Sequence, residues 1–329
     1  MTERNHAFDL LCGLCMLYFI VSYVTDMCGM HDAAWAVELR RWTYFAVGIF
    51  FFKAGYLAHH AEAPLGPFLR ERARRMLVPY IVWGVVGSVI YFGFLQFFPE
   101  VTHVQRDALR TEHVWTTSRW YGNPPLWFLT SLFVTLALAH PMRRLRRLSA
   151  VAALLPLVSW WLAEEKNPLW MSLNNVFVGI YLYFLGRWWK SLELRLKPRT
   201  FTALSAVLLA TALLSITFWH GEYAMGDNLW IGNPLAAMLN ESLAICGIVG
   251  LLSQIVTRPV PALGYVGRHS LTFLVLPYPM IHYYNFVHMT GKRTMINHWN
   301  DFIVVTVVVV CLCAWLSRIS YPKRKMING

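Results

Sequence analysis

The sequence predicts an all-α, polytopic membrane protein with about ten transmembrane helices. Of its 329 residues, 57% are apolar and only 14% are charged, whereas about a quarter of the residues in soluble domains are charged. The apolar residues form runs of roughly twenty, such as 77–98, 199–219 and 301–317, long enough for a helix to cross about 30 Å of hydrocarbon. This pattern excludes an ordinary soluble domain, a disordered chain and a collagen-like repeat.

The apolar runs divide the chain, 1–329, into a single membrane domain without a soluble domain. Spans are predicted near 7–29, 43–60, 77–98, 124–141, 148–164, 168–188, 200–219, 230–256, 270–288 and 301–320. The first run is too long for the apolar region of a cleaved signal peptide, so we expect it to remain as a span. An even number of spans places both termini on one side of the membrane.

The formal net charge is +12. The positively charged residues lie mainly in short connections between spans, which does not indicate a surface that binds nucleic acid. Most of the 29 Lys and Arg residues fall on the side of the termini, chiefly in 61–76, 142–147 and 187–199. Cytoplasmic loops carry the excess of Lys and Arg. We therefore expect cytoplasmic termini in a bacterial inner membrane, with the lipid bilayer as a partner and no role for nucleic acid.

One face of the first span is polar enough to indicate a substrate cavity. Asp9, Cys12, Met16, Phe19 and Tyr23 recur at helical spacing, so they share that face. Cys12 and Tyr23 are separated by about 16 Å along the axis. The alternative is a packing seam between helices, with Asp9 at its wet end.

The second span contains a cation, Lys53. Its side chain either lines a cavity that accepts an anionic group or extends its ammonium group to the membrane surface.

The longest extracytoplasmic loop, 99–123, follows the third span. This loop is either a substrate-contacting lid or an interfacial helix whose aromatic side chains lie at headgroup level.

The eighth and ninth spans contain further groups that are costly in lipid. Glu241, next to Asn240, is the only carboxylate predicted deep within a span, where it is either paired or a proton acceptor. Pro277 and Pro279 predict a kink, and His282 after them is either a proton relay or a structural histidine. Cys12-x-x-Cys15 has metal-site spacing, but packing is the favoured interpretation, and no metal or permanently bound cofactor is predicted.

Several segments together resemble the integral-membrane acyltransferase family 3, whose members O-acylate glycans and other acceptors. The similar segments are Phe8-Asp9-Leu10-Leu11-Cys12-Gly13-Leu14, Ile49-Phe50-Phe51-Phe52-Lys53-Ala54-Gly55-Tyr56, Phe68 to Tyr80 with its R-x-x-R element, Pro125-Leu126-Trp127-Phe128-Leu129, and Gly267-Arg268-His269-Ser270-Leu271-Thr272. Their order, together with the span pattern, extends the resemblance to most of the chain.

The resemblance implies an enzyme that transfers an acyl group, commonly acetyl, from acyl-CoA as co-substrate to a hydroxyl of a cell-envelope glycan or lipid-linked sugar. Arg72 and Arg75 match the family's arginine pair and would meet the donor's phosphates, since guanidinium groups suit phosphate geometry. Trp127, in the matching P-x-W-F-L motif, would line the substrate cavity with Asp9 and Asn240.

The chain departs from the family pattern in its first span. Cys12 and Tyr23 stand where the family has an arginine and, eleven positions on, the histidine presumed to be its general base. Tyrosine, with a pKa near 10, is a poor base at neutral pH. The catalytic candidates are therefore Tyr23 itself, Glu241, His282, and His59 or His60. Two other functions stay open: a catalytically degenerate glycan exporter or binding module, and an unrelated transporter.

Overall fold

The computed structural model describes residues 5–58, 64–97, 114, 117–144, 150–164, 169–290 and 299–320. The longer helices are α1 (His6–Met27), α2 (Ala34–Thr43), α3 (Gly48–Leu57), α4 (Leu65–Phe97), α5 (Trp127–Met142), α6 (Leu155–Glu164), α7 (Asn174–Arg195), α8 (Pro198–Phe218), α9 (Pro234–Ile255), α10 (Pro261–Arg268), α11 (Ser270–Val275), α12 (Pro277–Thr290) and α13 (Trp299–Ser320). Short 3₁₀ turns cover Tyr44–Ala46, Pro124–Leu126, Ala152–Leu154 and Trp170–Ser172.

The helical membrane class predicted from the sequence is confirmed. Within the described residues, six helical segments are long and apolar enough to cross a membrane: His6–Met27, Leu65–Gly93, Pro124–Met142, Pro198–Phe218, Pro234–Ile255 and Trp299–Ile319. The other four predicted spans correspond to the short helices α3 and α6, the more charged helix α7, and the broken pair α11 and α12. The number of ten spans therefore stays a prediction.

Helix α3 lies at the centre of the bundle, where Phe51 and Phe52 are fully buried. Gly55 packs against the backbone of Tyr183 in α7, and Gly186 packs against the backbone of Phe52, so that a Cβ atom at either glycine would overlap its neighbour. Small residues allow this close approach of helices within a membrane.

The arginine-rich segment before the third span is helical, which corrects its prediction as a loop. Helix α4 begins at Leu65 rather than near residue 77, and it continues through Pro79. Leu, Arg, Glu, Ala and Met favour helix, and the proline costs one intrahelical hydrogen bond without ending the helix. The basic residues of this segment are therefore held on a rigid element.

A small β-hairpin interrupts the all-α architecture before α9. Strands β1 (Gly221–Ala224) and β2 (Leu229–Gly232) pair antiparallel, and buried Tyr223 stacks on Trp230 with ring centroids 4.2 Å apart. The helix of the eighth predicted span therefore starts at Pro234 rather than near residue 230. The Asn233 side chain accepts hydrogen bonds from the Leu235 and Ala236 N–H groups and caps the helix.

The bundle has two distinct ends, which the directions of the packed helices define. Helices α3 and α7 run parallel, since Phe51 lies beside Gly179 and Gly55 beside Tyr183. Helix α4 runs antiparallel to α5, and Phe68 at its start stacks on His140 near the end of α5. We call the end with the start of α1 and the ends of α5 and α7 the basic end, and the opposite one the hairpin end.

The predicted kink in the ninth span is a break between α11 and α12. In a continuous helix the Val275 carbonyl would accept a hydrogen bond from residue 279, but Pro279 has no N–H group. The fully buried Asn123 donates its Nδ2 to this carbonyl at 2.9 Å. Asn123 belongs to a tight turn with Gly122, which has a φ of +69° and lies against Gly87 of α4.

We expect Asn123→Ala to destabilise the protein by about 1–3 kcal/mol, because it leaves the buried Val275 carbonyl unpaired. Thermal unfolding of the purified protein in detergent measures the loss. Asn300→Ala, at an exposed position of α13, is the control and should melt with the unmodified protein. Equal melting temperatures for both variants would contradict the role of Asn123.

Candidate functional site

Lys53 lies between α1 and α3 towards the basic end. Its ammonium group donates to the Cys12 Sγ at 3.3 Å and lies 6.0 Å from the centre of the Phe8 ring. Cys12 is fully buried. The half-buried Lys53 therefore contacts the polar face of α1 that the sequence predicted.

Asp9 lies one turn before Cys12, where α10 crosses α1. Gly267 packs against the Asp9 carbonyl, and Gly264 lies next to both the Asp9 side chain and the Arg268 guanidinium. Glycine at these two positions lets α10 approach closely. The approach places a carboxylate and a guanidinium at the same corner of the basic end.

A half-buried polar network around Glu193 joins α3, α7 and α9. Tyr56 donates a short hydrogen bond to the Glu193 carboxylate, which also accepts from Lys190 at 2.7 Å and from Ser253 and Gln254 at 3.1 Å each. Sequence reasoning missed this network because it assigned Glu193 to a loop. The i, i+3 spacing of Lys190 and Glu193 was the available signal of a continuing helix.

The arginines expected to bind the donor both lie on the first turns of α4, but their environments differ. Arg72 is half-buried above the Phe68 ring, 5.3 Å from its centre. Arg75 is 66% exposed and forms an ion pair with Glu71 at 2.6 Å. Arg72 interacts electrostatically with Tyr183, whose backbone packs against Gly55.

Tyr23 and Trp127 lie at the hairpin end. The Tyr23 ring meets the Tyr278 ring edge-on, with centroids 5.5 Å apart, and both tyrosines interact electrostatically with Arg119. Arg119 donates to the Gly226 carbonyl and to Asp227 at 2.5 Å each, and Trp127 lies beside Gly226. The turn of the hairpin therefore lies over this aromatic group.

Glu241 occupies a different interface, between α9 and α3. It is 3% exposed, its Oε1 lies against Gly48, and its Oε2 has no hydrogen-bond partner among the described residues. Neighbouring Asn240 donates to the Trp219 carbonyl at 3.2 Å and so caps the end of α8. In the described part of the chain, no hydrogen bond or ion pair joins Glu241 to Lys53 or Tyr23.

The predicted site residues therefore fall into three groups. Asp9, Lys53, Arg72 and Arg75 belong to the basic end, Tyr23 and Trp127 to the hairpin end, and Glu241 with Asn240 to the interface of α9 with its neighbours. His282 is in α12, one turn after Tyr278, but its side chain lies outside the described residues, as do His59 and His60.

Comparison with known protein families identifies the family of the chain. The profile of acyltransferase family 3, described as "Acyltransferase domain", matches residues 5–318. The chain therefore belongs to this family of membrane acyltransferases. No curated protein and no solved structure gives a significant match.

We expect Glu193→Gln to lower stability by about 2 kcal/mol or more, because the half-buried Lys190 then loses its countercharge and an NH2 group replaces one of the two oxygens that accept hydrogen bonds. Glu71→Gln removes the same charge from an exposed i, i+4 pair and should cost under about 0.5 kcal/mol. Unfolding of the two variants in the same detergent compares them directly. A cost for Glu193→Gln as small as that for Glu71→Gln would show that the network does not hold the three helices together.

Proposed function

We propose that this membrane acyltransferase takes an acyl group, commonly acetyl, from acyl-CoA and transfers it to a hydroxyl of a cell-envelope glycan or lipid-linked sugar. The supporting observation is the position of Arg72 at the same end of the bundle as Lys53 and the polar face of α1. A basic end in the cytoplasm would face the compartment that supplies acyl-CoA. We therefore propose cytoplasmic termini in a bacterial inner membrane.

In this proposal the donor lies along α1, with its nucleotide at the basic end. Arg72 binds a phosphate through its guanidinium group, and Arg75 assists from the exposed side of α4 if its ion pair with Glu71 opens. Lys53 lies further into the bundle beside Cys12, and its positive charge attracts the polar part of the donor between the nucleotide and the thioester. Asp9 and Trp127 bound the cavity at its two ends.

The transfer step is an attack of the acceptor hydroxyl on the thioester carbonyl. A C–O bond forms, the C–S bond breaks, and the leaving CoA thiolate finally receives the proton that the base removes from the hydroxyl. Tyr23 stands at the position of the family histidine and contacts Tyr278, so we place the reacting groups at this level. Tyr23 then positions the acceptor by hydrogen bonding rather than acting as the base.

His282 is the favoured general base of this proposal. It follows Tyr278 by one turn of α12, and its ordinary pKa near 6.5 suits proton transfer at neutral pH. Glu241 is the alternative base, but it lies at the α3–α9 interface against Gly48. Asn240, which caps α8, supports that interface rather than the acceptor.

A catalytically degenerate exporter or glycan-binding module is the second candidate function. The replacement of the family's arginine and histidine by Cys12 and Tyr23 favours it. Purified protein in lipid nanodiscs, incubated with radiolabelled acetyl-CoA, separates the candidates. Hydrolysis or transfer supports the enzyme, binding without turnover favours the degenerate protein, and absence of acetyl-CoA binding contradicts the proposed donor.

We expect His282→Gln to lower turnover of acetyl-CoA by about a hundredfold or more, since general bases contribute at least that factor. Glu241→Gln keeps the shape of the buried side chain and should lower turnover much less. Initial rates at saturating acetyl-CoA measure both variants, and binding of CoA confirms that each is folded. A larger loss for Glu241→Gln would transfer the role of base to Glu241.

A further inference from the structure

The basic end holds three guanidinium groups around one buried tyrosine, Tyr183 of α7. Arg72 lies over the Phe68 ring, which stacks on His140, and Arg143 lies 3.3 Å from His140 on the other side of this pair. Both arginines also interact electrostatically with Tyr183. Arg187 follows Tyr183 by one turn of α7 and interacts electrostatically with Arg143. Three separate segments, the start of α4, the end of α5 and the middle of α7, thus bring their positive charges together.

The neighbours of Arg143 in the described part of the chain fix its position without pairing its positive charge with a carboxylate. Its NH2 group lies 3.3 Å from His140 Nε2, and His140 stacks on Phe68. Partial burial lowers the pKa of Arg143, and the nearby charges of Arg187 and Arg144 lower it further, whereas Tyr183 opposes the shift. An arginine has an ordinary pKa above 12, so the group remains charged at neutral pH.

The other two arginines have donors to offer a ligand. Arg187 donates NH1 to the Ala58 carbonyl at 3.3 Å, which caps α3, and a guanidinium group has five N–H donors in all. The buried Nε of Arg72 has no hydrogen-bond partner in the described part of the chain. Such an N–H group is costly to bury unless a ligand accepts from it.

The charge of this cluster is not balanced by an ion pair among the described residues. Glu71 interacts electrostatically with Arg72 but is bound to Arg75 at 2.6 Å, and Glu193 is bound to Lys190 at 2.7 Å. Like charges held together repel, and an anion bound between them offsets that cost. Guanidinium groups bind phosphate with strong, directional hydrogen bonds.

We propose that Arg143 and Arg187, together with Arg72, bind the phosphate groups in the nucleotide part of acyl-CoA. The inference rests on the proposed function, and it adds two residues that lie outside the R-x-x-R element. Because Arg187 also caps α3, it connects the bound nucleotide directly to the helix that contains Lys53. The headgroup of an anionic lipid has the same phosphate chemistry, so the experiment must separate the two sources.

The test uses the full-length protein in nanodiscs of pure phosphatidylcholine and, separately, with added phosphatidylglycerol. Calorimetry measures the affinity for CoA and for 3′-dephospho-CoA. The variants are Arg143→Gln and Arg187→Gln, with Arg143→Lys and Arg187→Lys as charge-retaining versions. Arg195→Gln removes one exposed positive charge outside the cluster and serves as the matched control, and melting temperatures confirm folding.

We expect each Gln variant to lose about tenfold or more in CoA affinity. Each Lys variant should recover part of that affinity, and the Arg195→Gln control should bind within about twofold of the unmodified protein. The Gln variants should lose less affinity for 3′-dephospho-CoA, which lacks the 3′-phosphate, than for CoA. Unchanged CoA binding by folded Gln variants would overturn this inference and leave the proposed function intact. Absence of CoA binding by the unmodified protein would overturn both. A third outcome would assign the cluster to a lipid headgroup and overturn the inference. In that outcome phosphatidylglycerol abolishes CoA binding, and the variants differ from the unmodified protein in CoA affinity only in nanodiscs that contain this lipid.

Discussion

Burial of helix α3 inside the membrane domain is the constraint on which the other interactions depend. At ten residues, Gly48–Leu57 is too short to cross about 30 Å of hydrocarbon alone, and free backbone groups at its ends would be costly there. The bundle meets this cost by enclosing the helix. Arg187 binds the Ala58 carbonyl after its last turn, and glycines on α3 and α7 bring the two backbones into contact.

The enclosure of α3 also fixes the positions of the candidate site residues. Each face of α3 meets a different neighbour: Lys53 contacts Cys12 of α1, Tyr56 contacts Glu193 of α7, and Gly48 leaves room for Glu241 of α9. A donor bound at the basic end would therefore contact a helix whose position is fixed from three sides. Such rigid support is what a site needs to align a thioester with an attacking hydroxyl.

The sequence was sufficient for features that depend on local pattern and insufficient for those that depend on distant contacts. Apolar runs predicted the membrane class, and Pro277 and Pro279 predicted the break in the ninth span. The helical start of α4 was missed because arginine-rich segments between spans were assigned to loops. Arg143 and Arg187 were counted only as loop charges, since the approach of Arg143 to Tyr183 and Arg187 depends on how α5 and α7 pack. Partners such as Asn123 and Val275 are far apart in the chain, and no local spacing indicates them.

A structure of the protein in nanodiscs with a non-transferable acetyl-CoA analogue tests the central claim most directly. We expect the nucleotide phosphates at the basic end beside Arg72, and the acyl group on the face of α1 between Lys53 and Tyr23. Density for the nucleotide at the hairpin end, or for the acyl group away from α1, would contradict this placement of the donor.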